Sequence, residues 1–223
     1  MPQFNPGTYQ VTLRVSDGRG GSSEDHVTLT ITPLPEIVLH AANGFAERDS
    51  DWSSVADATA GSGYRKFNPD HGAAKLSAPL AEPTDYFDVW FIPDPTQEYK
   101  LWIRGKAQNN YWGNDSAFVQ FDESVTLSGA PAYRIGTAFA LPFNLEECSG
   151  CGLSEWGWED DGWGAVNQNG ITFRFAKGGW QRIRVQRRED GLSIDQIVLS
   201  ANKYKTTRPG TAKNDRTILP AWW

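Results

Sequence analysis

The chain has 223 residues, enough for one large β-domain or two small ones with a buried core. Its formal net charge of −6 disfavours a polyanionic partner, nucleic acid above all, and no run of about 18 apolar residues offers a membrane span. The 22 Gly and 13 Pro suit a turn-rich all-β protein, and ten Trp are too many to bury with every indole N–H satisfied, which points to stacking surfaces.

Met1-Pro2 runs directly into a strand-like segment with no signal-type stretch, as expected of a piece of a longer chain. Residues 8–32 predict a hairpin. Tyr9, Val11, Leu13 and Val15 alternate with polar residues, Asp17-Gly18-Arg19-Gly20-Gly21 supplies the turn, and Val27, Leu29 and Ile31 alternate with threonines. The run Pro6-Gly7-Thr8-Tyr9-Gln10-Val11-Thr12-Leu13-Arg14-Val15-Ser16-Asp17, followed by Val27-Thr28-Leu29-Thr30-Ile31, resembles the last two strands of a PKD-type or cadherin-like Ig repeat. That resemblance implies that 1–32 is the closing hairpin of a spacer repeat, tethered to other domains of a secreted protein. A strand pair that only packs on the next domain is the alternative.

Thr32-Pro33-Leu34-Pro35 reads as a stiff linker into a domain spanning 33–210, with 211–223 as a tail. Strands are expected at 36–41, 86–92, 99–107, 117–121, 171–176, 181–186 and 193–200. The stretch 86–92 is apolar on both faces and is expected at the centre of a sheet. No segment carries a capped helical stripe. Long connections at 42–85, 108–116, 122–135 and 144–170 suggest functional or stapled loops. The predicted fold is all-β, an antiparallel β-sandwich of jelly-roll type with an N-terminal β-hairpin.

Three stretches carry a second resemblance. They are Tyr86-Phe87-Asp88-Val89-Trp90-Phe91 followed by Tyr99-Lys100-Leu101-Trp102-Ile103-Arg104-Gly105-Lys106-Ala107, then Gly179-Trp180-Gln181-Arg182-Ile183-Arg184-Val185, then Gly191-Leu192-Ser193-Ile194-Asp195-Gln196-Ile197-Val198-Leu199. Together they are similar to the galactose-binding-like β-sandwich of non-catalytic carbohydrate-binding modules, such as families 6 and 35 and malectin. The resemblance implies a secreted, extracellular, bacterial-type accessory module that binds a polysaccharide or oligosaccharide. The first strand, Glu36-Ile37-Val38-Leu39-His40-Ala41, lacks the paired glutamates of those families, and the Trp-rich stretch 144–164 has no counterpart in them.

Asp195 shares a strand face with Ile197 and Leu199, so a carboxylate is expected to enter the core and to need a partner. The resemblance implies structural calcium (Ca2+) held by Asp195 with Glu36, the positional match in the first strand. Calcium takes six to eight oxygens, backbone carbonyls included. The alternative is an ion pair with Arg182, Arg184 or Arg187. Cys148 and Cys151 are expected to close a small disulfide loop, or to be two free thiols; one CxxC without a second pair or enough His is half a zinc site.

The run Glu155-Trp156-Gly157-Trp158-Glu159-Asp160-Asp161-Gly162-Trp163-Gly164 interleaves glycine with indoles and sets carboxylates beside them. Sugar rings offer an apolar C–H face and a rim of hydroxyls, which indoles and carboxylates complement. Trp158 and Trp163 are the expected stacking platforms, with Trp156 beside them and Asp160 and Asp161 accepting from hydroxyls. Trp112, with Asn114 and Asp115, is a second candidate. Tryptophans that plug the ends of the sandwich are the alternative. Two further classes stay open: a glycoside hydrolase or lyase using the loop carboxylates, and a structural or adhesive repeat that binds protein.

Overall fold

The computed structural model describes residues 7–32, 36–146, 148–149, 153–163, 171–211 and 214–221. The chain divides into two compact units, Met1–Leu34 and Pro35–Trp223.

In the first unit β1 (Gly7–Ser16) and β2 (Ser22–Ile31) form one antiparallel ladder, Gly7 opposite Ile31 and Ser16 opposite Ser22. The turn is held by Asp17, whose Oδ1 accepts the N–H groups of Arg19 (2.8 Å) and Gly21 (2.9 Å). Register puts Tyr9 opposite Leu29 and Val11 opposite Val27 on one face, and Gln10 opposite Thr28 and Thr12 opposite His26 on the other.

The second unit continues with β3 (Glu36–His40), β4 (Phe45–Ala46), β5 (Ser53–Ala56), β6 (Tyr64–Phe67), β7 (Tyr86–Phe91) and β8 (Tyr99–Ala107). It is completed by β9 (Ser116–Phe121), β10 (Ser124–Val125), β11 (Leu141–Asn144), β12 (Gly157–Glu159), β13 (Thr172–Phe175), β14 (Gln181–Arg187) and β15 (Leu192–Ser200). These build an all-β, antiparallel sandwich. One sheet runs β10-β13-β8-β15-β6-β5, with β12 also pairing β8 and β3 also pairing β15; the other runs β11-β9-β14-β7-β4. Among the described residues helix is limited to three-residue 3-10 turns, and none is long and apolar enough to cross a membrane.

Alternation explains the layers. Leu101 and Ile103 of β8, Ile197 and Leu199 of β15, Phe87, Val89 and Phe91 of β7, and Ile183 and Val185 of β14 point between the sheets into one core. Phe121, Phe173 and Phe175 pack there with ring centroids 4.8–5.7 Å apart, and each such pair adds about 1 kcal/mol to its burial.

Two expectations change. The 86–92 strand is not central: β7 lies between β14 and the two-residue β4, and Trp90 is exposed. The six-residue β9 is buried throughout, and the long strands buried on both faces are β8 and β15. Their outer face is covered by residues 153–163 and by residues past 200, where Val38, Trp102, Trp158, Val198 and Leu219 form a second apolar cluster. Residues of the expected tail take part in it: Leu219 N–H donates to Gln196 Oε1 (2.9 Å), and Gln196 Nε2 donates to the Leu219 carbonyl (2.7 Å).

Candidate functional site

Two of the predicted loops converge. Backbone hydrogen bonds tie them: Leu145 N–H to the Asp115 carbonyl (3.1 Å), Asn144 N–H to the Asp161 carbonyl (3.0 Å) and Glu189 N–H to the Ser116 carbonyl (3.3 Å). The start of β9, the end of β11, the run after β12 and the turn before β15 therefore meet at one corner of the five-stranded sheet.

A cleft of about 500 Å³ opens there, walled by Trp112 and Trp163 and floored by Asp115, Asn144 and Glu189. Both indoles are 60% exposed. Glycines set them: a Cβ at Gly113 would fall 2.6 Å from the Tyr111 ring, and one at Gly162 would fall 2.9 Å from Pro142 Cγ. Each glycine, next in sequence to an exposed indole, lets the backbone pass close to its neighbour.

The floor is polar and buried. Asp115 accepts from Asn144 Nδ2 (2.7 Å) and the Glu146 N–H (3.1 Å). Glu189 accepts from Ser116 Oγ and pairs with Lys75 (3.2 Å). Asp115 also lies within hydrogen-bonding reach of Glu189; burial first, and then the Glu189 charge, push its carboxyl up to about 8. Asn144 Oδ1 is buried and has no hydrogen-bond partner among the described residues. The floor thus offers an unfilled acceptor and a carboxyl pair between two open indole faces.

The other expected site residues are placed differently. Trp158 is fully buried because Gly157–Glu159 is hydrogen-bonded onto β8 as a strand, with Trp158 opposite Arg104 and its Nε1–H given to the Thr217 carbonyl (3.2 Å). Trp156 is 3% exposed, its Nε1–H given to Thr59 Oγ1 (2.8 Å) and its ring 4.7 Å from the Arg104 guanidinium. Neither can be an open platform. Asp160 is buried against Lys100 (2.7 Å) and Asp161 is buried, so neither faces the cleft mouth. Asn114 is buried too, its Nδ2 donating to Asp70 (3.1 Å) and the Gln108 carbonyl (3.3 Å), with Gly191 leaving it room.

The calcium pair is not formed. Asp195 Oδ1 accepts the Gly61 N–H (2.8 Å) and Oδ2 is paired with Arg104 (2.5 Å). Glu36 is opposite Ser200, five residues along β15, or about 16 Å at ~3.3 Å per residue. There it accepts from Ser200 Oγ and the Lys203 N–H. The residues therefore do not fit the ion expected of them: a guanidinium answers the buried carboxylate, and it comes from β8 rather than from Arg182, Arg184 or Arg187. Among the described residues no group of three or more His, Cys, Asp or Glu could hold a metal ion. Cys148 is disulfide-bonded, while Cys151 lies outside the described residues.

Sequence reasoning missed Asn144, Glu189 and Lys75 of the cleft. It also missed a second aromatic group, Phe45, Trp90 and Trp180, exposed around a hollow of about 200 Å³ at the opposite corner of the same sheet.

No family model matches the chain, and no curated protein matches it in sequence. Among solved structures it is similar to the isomalto-dextranase of Arthrobacter globiformis T6 complexed with panose (10% identity, TM-score 0.42, 87% of this chain and 33% of that one). It is also similar to the GH26-CBM35 β-(1,4)-mannanase of Podospora anserina (11% identity, TM-score 0.37, 76% of this chain and 28% of that one). A third is the C-terminal CBM6 of LamC, a marine laminarinase from Zobellia galactanivorans (10% identity, TM-score 0.36, 74% of this chain and 98% of that one). The chain spans about a third of the length of the first of these.

Proposed function

We propose that this chain is a non-catalytic carbohydrate-binding module that holds a polysaccharide or oligosaccharide between Trp112 and Trp163. The observation that carries this reading is the cleft itself: two open indoles above a buried floor whose Asn144 carbonyl lacks a donor. A sugar ring supplies C–H faces for the indoles and hydroxyl donors for Asn144, Asp115 and Glu189. Binding without hydrolysis is supported by how the floor carboxyl groups are engaged: Asp115 by Asn144 and the Glu146 N–H, and Glu189 by Ser116 and Lys75, rather than set across a bound sugar as the two carboxyl groups of a glycosidase are.

The amphipathic hairpin 7–31 would close an Ig-type spacer repeat that tethers the module to other domains, and the disulfide-bonded Cys148 supports a secreted, extracellular setting. The test is affinity electrophoresis and calorimetry on a panel of polysaccharides, with reducing-end release measured in parallel. Binding without release, lost in Trp112→Ala and Trp163→Ala, is expected. Release of reducing ends would replace the reading by an enzyme, and no affinity for any polysaccharide would favour a protein partner.

A further inference from the structure

The outer face of the larger sheet holds a separate cavity of about 620 Å³, within the roughly 300–1,000 Å³ range of small-molecule sites. Arg104 and Asp215 lie at its base. Arg104 is 1% exposed and spends Nη1 on Asp195 and the Thr59 carbonyl and Nη2 on the Asp215 carbonyl (3.0 Å), which leaves Nε–H without a partner. Asp215 is 4% exposed; its Oδ1 accepts the Thr217 N–H, and its Oδ2 has no partner. The indole of Trp156 forms a wall, and the exposed Glu155, Arg216 and Ile218 form the rim.

Two residues that line one cavity with an open rim, already hydrogen-bonded to each other, thus each carry a buried polar atom without a partner, one a donor and one an acceptor. A polar group buried unpaired carries a desolvation cost that a ligand or water of the right chemistry removes. We propose that this cavity is a second ligand site, taking a single neutral polyhydroxylated ring such as a monosaccharide or the end of a glycan chain. A hydroxyl both accepts and donates, so neighbouring hydroxyls fill Arg104 Nε–H and Asp215 Oδ2 together. In the cavity an anionic ligand meets Asp215 and Glu155, and a cationic one meets Arg104 and Arg216. None of the residues around this cavity lines the Trp112–Trp163 cleft, and the inference does not rest on the reading of that cleft.

The experiment uses the whole chain carrying Trp112→Ala and Trp163→Ala, so that the cleft is disabled. The indole N–H resonance of Trp156, assigned with Trp156→Phe, is followed by NMR while glucose, galactose, mannose, glucuronate or glucosamine is added at millimolar concentration. A saturable shift with at least one neutral hexose is expected, with weaker responses to glucuronate and glucosamine. Asp215→Asn places an amide donor where Oδ2 accepts, because Oδ1 is fixed by the Thr217 N–H, and should weaken that binding roughly tenfold or more. Ile218→Trp on the rim narrows the mouth without touching the buried pair, and should weaken it as well. No saturable shift with any neutral hexose, or equal affinity in both variants, would show that the cavity holds water alone. A response confined to glucuronate or to glucosamine would overturn the neutral class. Polysaccharide affinity of the unsubstituted chain reports the cleft separately.

Discussion

Asp115→Asn reports directly on the floor of the cleft. In the folded chain the Asp115 carboxyl keeps its proton to about 8, against an ordinary value of 3.8. An unfolded chain releases that proton near 4, so between 3.8 and 8 the native state binds more protons than the unfolded one. This group's contribution to stability is therefore fully present below the unfolded value, falls as pH rises through the window, and levels off above 8. At ~1.36 kcal/mol per pH unit the loss by pH 7 is roughly 4 kcal/mol. Asparagine carries no such charge, and its NH2 can donate to Glu189 as the protonated carboxyl does. It cannot accept, so one of the bonds from Asn144 and Glu146 is lost, at about 1 kcal/mol. The variant should be more stable than the parent by roughly 3 kcal/mol at pH 7 and less stable by about 1 kcal/mol near pH 4. Urea unfolding of both proteins at several pH values tests this, because titrating groups remote from Asp115 cancel in the difference. A difference that stays constant with pH, or a variant weaker at pH 7 than at pH 4, would refute the assignment of Asp115 as a buried, proton-holding partner of Glu189.

Trp112→Ala and Trp163→Ala should each weaken polysaccharide binding by about 2 kcal/mol, roughly 30-fold, with the melting temperature nearly unchanged, as read by calorimetry and thermal unfolding. Trp158→Ala should cost about 3–5 kcal/mol of stability by opening the cluster around Trp102 and Val198; a stable Trp158→Ala with lost affinity would return that residue to the site. Trp90→Ala and Trp180→Ala should leave affinity within about twofold in the same titrations, and a large loss there would move the site to the opposite corner of the sheet. For the buried pair on the larger sheet, Asp195→Ala or Arg104→Leu alone should cost about 3–5 kcal/mol, and the two together clearly less than the sum of the singles, because each single change strands a buried charge.

The long strands were legible because a nine-residue run shows its period. The expected 99–107 matches β8 (Tyr99–Ala107), and the expected 193–200 matches β15 (Leu192–Ser200) within a residue. The two- to four-residue strands β4, β5, β6, β10 and β12 fell inside predicted loops, and β11 lay almost wholly in a stretch given neither strand nor loop, since so few residues carry no countable alternation and their pairing is set by distant partners. Ranking the strands by burial failed for a related reason. Tyr86 to Phe91 is apolar on both faces, yet its outer face leaves Trp90 exposed, and Arg182 lies 5.6 Å from that ring. In β8 the polar residues Lys100 and Arg104 suggest a solvent face, yet both are buried, answered by Asp160 and Asp195 from other segments. A charge is hidden only when its partner arrives, and the partner is remote in sequence.

The same argument governs the tryptophans. Composition counts indoles but does not point them, and Trp158 and Trp163 have similar Gly-rich, acidic surroundings. What separates them is backbone pairing. Residues 157–159 lie in register with Gly105, Arg104 and Ile103 of β8, so Trp158 takes the side of the sheet that Trp102 and Val198 already make apolar. Four residues later the chain has left that ladder, Gly162 passes close to Pro142, and Trp163 faces the solvent opposite Trp112. Asn144 and Glu189 gave no local signal because each gains its role from position: one ends a four-residue strand, and the other precedes the turn at Gly191. The two sequence-predicted loops do build one cleft, but the polar floor that distinguishes it from a patch of exposed indoles is assembled by the tertiary backbone contacts among 115–116, 144–145, 161 and 189.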